Sequence, residues 1–479
     1  MSEARRLHPV SALIRLVKWL KEMIAIYVLI IIGSPDHRLY GIVAICAISL
    51  FIIISSILYW LKYTYRIEDN EFRVEYGVFI KKKRYVPIER IQTINISTGI
   101  IQRLFGLVKL QIETAGGAFE AEVELSAIRK SEAERIQQIL HEKKKWLREE
   151  KEEGELGLEE RVLSKESIYH ISPKELFITA ATSSGLGVIL SIFAFLSQFD
   201  ELFSLDSIFN LVIEKVEILT KEGIGAIIFV IVLLLIAAWI LSMIGAVLKY
   251  GNFTVEMHDG QLIISRGLLE KRQVTVSLER IQAVRIVENP LRQFLGYATV
   301  HIDTAGSSEA ASLLFPLIKK RDMKEKIESI MDVTIQEQLH KLPKRALRRF
   351  WLKDLLVVMI VIIPLCIFFR PWGYASLLLM PAVVVLGYYQ FRDAGWKIIE
   401  NELTLAYRIL AKTTVMMKKK RIQSLKVHGS YFQRNLNLRT LISYVHSGVG
   451  LGRYAVVDID VKDAKKIYNW LSKRDGDIS

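Results

Sequence analysis

Long apolar runs alternate along the chain with stretches in which apolar and polar residues take turns. A helix rising about 1.5 Å per residue needs about 20 mostly apolar residues to cross about 30 Å of hydrocarbon. Residues 39–61, 176–199, 224–248, 355–369 with their flanks, and 372–391 meet that requirement. Residues 16–33 form a weaker sixth candidate. Their clean apolar part runs only from Met23 to Ile32, after Lys18, Lys21 and Glu22, so an interfacial helix competes with a span there. Six crossings make three hairpins and put the N-terminus, the C-terminus and every long hydrophilic segment on one side. Arg5, Arg6, Arg15 and Lys18, Lys62 and Arg66, and Lys249 flank the spans on that side, whereas residues 200–222 carry six acidic side chains against Lys215 and Lys221. The positive-inside rule makes the hydrophilic side cytoplasmic.

The hydrophilic segments repeat. Residues 89–116 read ERIQTINISTGIIQRLFGLVKLQIETAG and residues 279–306 read ERIQAVRIVENPLRQFLGYATVHIDTAG, with about ten identities and no gap; a third, more divergent copy starts at Lys420. Apolar residues alternate within each copy, as in Ile94 and Ile96, Val284 and Ile286, or Leu425 and Val427, which is the period of half-buried strands. Gly106 and Gly296 align with Asn437, the substitution that a positive-φ turn tolerates. Gly77 and Gly267 align with Arg408. Each copy closes on a helical pattern, near residues 126–148, 317–331 and 464–471.

The run from Pro87 to Gln92, Leu104-Phe105-Gly106-Leu107 and Thr114-Ala115-Gly116-Gly117, with their second-copy equivalents ending at Thr304-Ala305-Gly306, resemble the bacterial pleckstrin-homology-like (PH-like) membrane proteins. The three-copy, six-span layout is similar to the YdbT family. The third copy departs from the pattern, with Lys420 in place of Glu and Val445-His446-Ser447 in place of Thr-Ala-Gly. The resemblance implies a membrane α+β fold: six transmembrane helices in three hairpins, each followed by a partly opened PH-like β-barrel or sandwich of about seven strands capped by a C-terminal helix. It further implies a bacterial plasma membrane location and, as companion, a smaller single-domain PH-like membrane protein; it does not imply an enzyme, and none is expected. The expected boundaries are 1–61 for the N-terminal segment and first hairpin, 62–150 for the first domain and 151–173 for a charged linker. They continue with 174–249 for the second hairpin, 250–335 for the second domain, 336–350 for a basic linker, 351–391 for the third hairpin and 392–479 for the third domain.

Composition narrows the chemistry. A net charge of +14 would suit nucleic acid, but spans of membrane length make anionic phospholipid headgroups the economical partner and no nucleic acid is expected. The two cysteines, Cys46 and Cys366, lie in apolar runs and offer neither a disulfide framework nor a thiolate metal site. No small-residue cleavage site follows the first apolar run, which is read as a retained anchor. The nine histidines form no zincin arrangement, and Gly448, Gly450 and Gly452 precede a strand rather than a helix, so that no catalytic, cofactor or metal site is expected.

The candidate membrane- or partner-binding residues are Lys81, Lys82, Lys83, Arg84, Lys271, Arg272, Lys418, Lys419 and Lys420. Near an anionic leaflet each basic side chain contributes about 1 kcal/mol, although lysines also protect solvated strand edges from aggregation. A second candidate set is the repeated Arg-Ile-Gln, Arg90 and Gln92, Arg280 and Gln282, Arg421 and Gln423, for which a structural role is the leading reading and a peptide or headgroup site the other. These features point to a non-enzymatic membrane scaffold whose cytoplasmic domains bind a partner protein or the anionic surface, in an envelope or stress-related complex. The alternative is a component of a transporter or exporter that confers tolerance to membrane-active compounds.

Overall fold

The computed structural model describes residues 4–33, 38–78, 80–114, 123–152, 166–183, 224–258, 260–305, 312–336, 338–368, 370, 372–448 and 450–472. Among them, four helical segments are long and apolar enough to cross a membrane: Leu39–Lys62, Val232–Tyr250, Lys344–Phe368 and Gly373–Asp393. The weaker first segment is a continuous helix, α1 (Val10–Gly33), joined to α2 (Arg38–Lys62) by a Tyr27–Ser49 hydroxyl hydrogen bond of 3.0 Å. The third expected span is described only over α5 (Pro173–Ala181), and the acidic segment 200–222 lies outside the described residues. The described chain thus carries four of the six expected spans.

The described strands fall into four open sheets. The first copy forms β1 (Arg5–Arg6), β2 (Thr64–Glu68), β3 (Glu71–Tyr76) and β4 (Lys82–Pro87), then β5 (Ile91–Thr98), β6 (Leu107–Thr114) and β7 (Val123–Arg129) before α4 (Lys130–Glu152). Their alternating apolar residues share one core: Tyr65, Phe72 and Val86 from the first sheet, Leu110, Ile112 and Leu125 from the second, Ile136 and Leu140 from α4, and Leu7 from the chain ahead of α1. The helix begins at Lys130, not near 126, because residues 123–129 continue the period of two and pair with β6.

The second copy supplies β8 (Glu166–His170), β9 (Thr254–His258), β10 (Gln261–Arg266) and β11 (Lys271–Ser277), with α6 (Ile224–Tyr250) between β8 and β9. It continues with β12 (Ile281–Glu288), α7 (Pro290–Phe294), β13 (Tyr297–Thr304), β14 (Ser312–Lys319) and α8 (Lys320–Ile330). The third supplies β15 (His340–Lys341), α9 (Leu347–Phe368), α10 (Leu379–Asp393), β16 (Gly395–Ile399), β17 (Glu402–Arg408), β18 (Lys412–Lys418) and β19 (Ile422–His428). It ends with α11 (Tyr431–Asn435), β20 (Leu438–Ser447), β21 (Gly450–Asp460) and α12 (Val461–Ser472). Gly106, Gly296 and Asn437 all take positive φ, at 64°, 76° and 52°, as their alignment predicts.

The chain divides into two compact units, one made of residues up to Asp259 with Ile263–Thr275, the other of Gly260–Leu262 with Val276–Ser479. The second copy thus contributes to both. In the first unit the sheet order is β7-β6-β5-β11-β10-β9-β8, and in the second β14-β13-β12-β18-β17-β16-β15. None of the described sheets closes on itself; where a partly opened barrel or sandwich is expected in each copy, sheets of successive copies join edge to edge.

Candidate functional site: sheet edges and membrane-proximal turns

The edge joints are built alike. In the first, the opening residues of β11 run antiparallel to the end of β5, with Lys271 opposite Thr98, Arg272 opposite Ser97 and Gln273 opposite Ile96. In the second, β18 runs against β12 from Lys412 opposite Glu288 to Met417 opposite Ala283. Lys271 and Lys412 each open their strand, and Thr98 and Glu288 are each the eighth residue of theirs, so the two joints share one register. Side chains lock each joint at its end. In the first unit Arg103 donates to the Leu268 carbonyl at 2.7 Å. In the second Arg408 donates to Gln293 Oε1 at 2.5 Å and is held by the buried Asp393 carboxylate at 2.6 Å.

The strands equivalent to these partners remain at the margins of their sheets. Among the described residues no strand runs along the outer side of β4, and none along that of β19. Edge strands present a row of backbone donors and acceptors, and charged side chains are a common guard against unwanted pairing. Lys82, Lys83 and Arg84 lie on β4 and Lys81 just before it, with Lys81 Nζ at 2.7 Å and Lys83 Nζ at 3.7 Å from Glu75. The two nearby lysines hold the Glu75 carboxyl below its usual range, the Lys81 hydrogen bond contributing most.

The other basic candidates are placed differently. Lys271 and Arg272 sit inside the first joint, and Arg272 also bonds Glu270 at 2.9 Å. Lys418 ends β18 and pairs with Asp332 at 2.6 Å, Lys419 lies over the Trp470 ring at 5.9 Å, and Lys420 is exposed in the turn that follows. Lys81–Arg84 and Lys418–Lys420 therefore occupy opposite ends of the fourth strand of their copies.

The Arg-Ile-Gln repeat sits where a short 3-10 turn feeds the fifth strand: Ile88–Arg90, Leu278–Arg280 and Lys419–Arg421. Gln282 is buried and donates to the Arg280 carbonyl at 2.9 Å, while Gln423 and Arg90 are exposed. Arg421 donates to the Glu279 carbonyl within the second unit. Gln92 belongs to β5, which is as much as the structure describes of it.

Sequence reasoning did not single out a buried polar cluster in the second unit. Asp303 accepts from the Tyr454 hydroxyl and faces Arg285 at 3.5 Å. Burial pushes the Asp303 carboxyl up, with Arg285 and then Tyr454 pulling it the other way. The same place in the first copy holds Glu113, hydrogen-bonded by Asn95 at 3.1 Å, so an acid at both positions was a readable signal.

Among the described residues no group of three or more His, Cys, Asp or Glu side chains could hold a metal ion. One cavity of about 300 Å³ is lined by Phe350, Gln390, Tyr407, Arg408 and Arg453 among others; it is mainly apolar and brings together no acid–base pair. Within the hairpins, polar groups pair locally, as Ser183 does with Ser242 at 3.1 Å, which is the small-residue packing of adjacent membrane helices.

Residues 12–144, 191–334 and 349–475 each match the family model described as Bacterial PH domain. The chain is 40% identical to the transmembrane protein YdbT of Bacillus subtilis (strain 168), over 99% of this chain and 100% of that protein. No solved structure matches. Three copies of one module behind apolar helices, and likeness across the whole length, make this chain a transmembrane member of the bacterial PH domain family.

Proposed function

We propose that the protein is a non-enzymatic, six-span scaffold whose PH-like modules lie on the cytoplasmic side and receive a partner protein by sheet-edge pairing. One observation carries this reading: two joints inside the chain use one register, and each of the two strand types that make a joint is left once at a sheet margin among the described residues, the fourth strand of a copy as β4 and the fifth as β19. Adding a strand to an exposed edge is a general mode of recognition, in which backbone hydrogen bonds supply affinity and alternate side chains supply specificity. The occupant of β19 is the fourth strand of a bacterial PH module on another polypeptide.

A second copy of this chain is the poorer occupant. Continued onto β4 and β19, the shared register puts Lys82 opposite His428 and Arg84 opposite Lys426, and directly opposed like charges disfavour a strand pair. A module with a neutral or acidic side chain facing Lys426 has no such conflict.

The reading is tested by placing a photocrosslinking residue at Val427, which is 37% exposed on β19, in cells that make the full chain. Crosslinked peptides are expected to map to the fourth strand of a bacterial PH module in a different protein. Crosslinks to unrelated surfaces, or none, would sink the proposal. Lys426→Glu removes the like-charge conflict, and it is expected to bring up crosslinks to β4 of a second copy.

A further inference from the structure

The turn before the fourth strand of each copy is fixed to the end of a membrane helix. In the first copy Tyr76, just ahead of the turn, packs on Tyr59 and Tyr63 at the end of α2, with ring centroids 6.1 and 5.8 Å away. In the second, the Gly267 amide donates to the Gly251 carbonyl at 2.8 Å and the Leu268 amide to the Leu248 carbonyl at 2.9 Å, at the last turn of α6. In the third, Gln390 near the end of α10 donates to the Ile409 carbonyl at 3.2 Å. All three turns therefore sit where a helix leaves the hydrocarbon. The joints bring two short helices to the same level, since Arg103 of α3 (Ile100–Leu104) reaches Leu268 and Gln293 of α7 receives Arg408.

At that level large apolar side chains point away from the protein. Phe294 is 90% exposed, Leu104 81%, Ile80 74% and Ile409 73%, with Leu291 and Leu410 close behind. Each turn is followed by a lysine at an equivalent position, Lys81, Lys271 and Lys412. Apolar side chains bordered by cations, at the mouth of a span, match the headgroup–acyl boundary of a bilayer: the rings and branched chains enter the boundary while the ammonium groups stay among the headgroups.

We infer that Ile80, Leu104, Leu291, Phe294, Ile409 and Leu410 are interfacial anchors that insert into the membrane crossed by the protein's own helices and seat each module on the leaflet. The lipid surface is the occupant of this face. The inference rests on the membrane helices and their packing and hydrogen bonds to the turns, and stands apart from the partner proposed for β19.

The test uses the full chain with Cys46 and Cys366 replaced by Ala, reconstituted in phosphatidylcholine–phosphatidylglycerol vesicles. Single cysteines at Leu104, Phe294 or Arg90 carry an environment-sensitive fluorophore; Arg90 is exposed at the far end of the fourth strand of its copy. Labelled chains that keep the parent circular dichroism spectrum are compared. Probes at Leu104 and Phe294 are expected to be quenched by lipids with a nitroxide near the headgroup and shielded from aqueous iodide, and the Arg90 probe the reverse. Iodide quenching at all three positions overturns the inference. Shielding of Leu104 and Phe294 from both quenchers overturns it as well, since it means that protein covers them. Loss of lipid quenching when phosphatidylglycerol is omitted would overturn the apolar basis of the contact.

Discussion

The two internal joints share a register but differ in what holds them. In the first unit three residue pairs are matched, the facing side chains are Lys271 and Arg272 against Thr98 and Ser97, and the locking Arg103 is exposed. In the second unit six pairs are matched, Lys412 lies 3.5 Å from the buried Glu288, and the locking arginine has only 5% of its side chain exposed. The arginine has also changed sides, from the short helix in the first joint to the turn residue Arg408 in the second. The two joints thus keep one backbone register while their locking side chains differ in burial.

The largest effect is expected where burial is greatest. Removing the guanidinium by Arg408→Ala leaves Asp393 buried without its partner, which costs about 3–5 kcal/mol by the usual penalty for a broken buried ion pair. Arg103→Ala removes one exposed hydrogen bond and costs below about 1 kcal/mol. Hydrogen exchange of the β18 and β11 amides in the reconstituted protein reads both. Equal opening at the two joints would break the comparison, because it would mean that burial of the arginine contributes nothing.

Strands, the positive-φ turn at Asn437 and the closing helices were legible because each is written locally, in alternation, in one tolerated residue type or in an amphipathic period. The joints were not. Edge pairing between Lys412 and Glu288 spans more than a hundred residues and leaves no local period, and the strand involved reads the same whether its edge is open or occupied. The basic residues were visible as clusters, yet composition does not say which end of a strand a cluster occupies, and so Lys81–Arg84 and Lys418–Lys420 looked alike. Leu104 and Phe294 carry no local mark of their exposure; only the fold turns them outward.

A middle-sized effect is expected at the turn itself. Gly267 holds φ at +104°, and a Cβ there would sit 2.0 Å from the Glu270 carbonyl oxygen, so Gly267→Ala should cost about 1–3 kcal/mol. The equivalent Arg408 ends β17 in ordinary strand pairing with Lys412, so the third copy has exchanged a strained glycine turn for a buried ion pair. Thermal unfolding of the purified chain, with hydrogen exchange to assign the loss to the first unit, checks the prediction. An unchanged first unit would show that the turn relaxes and that the glycine is dispensable.

The smallest effect separates the units by pH. Asp303 is raised above the ordinary aspartate value of 3.8 because burial disfavours its charge, despite Arg285 and the Tyr454 hydroxyl. The folded state therefore holds this proton more tightly than the unfolded state. Its contribution to stability is fully present below that ordinary value and is lost as pH rises through the raised one. Asn at position 303 cannot titrate and escapes that loss, so Asp303→Asn should gain on the parent as pH rises from 4 towards neutrality, by less than the turn substitution changes stability. Local opening of β13, followed by hydrogen exchange across that range, should report the gain in the second unit and no change in the first. A difference between parent and variant that stays constant with pH would mean that Arg285 and Tyr454 offset the burial, and that the cluster serves packing alone.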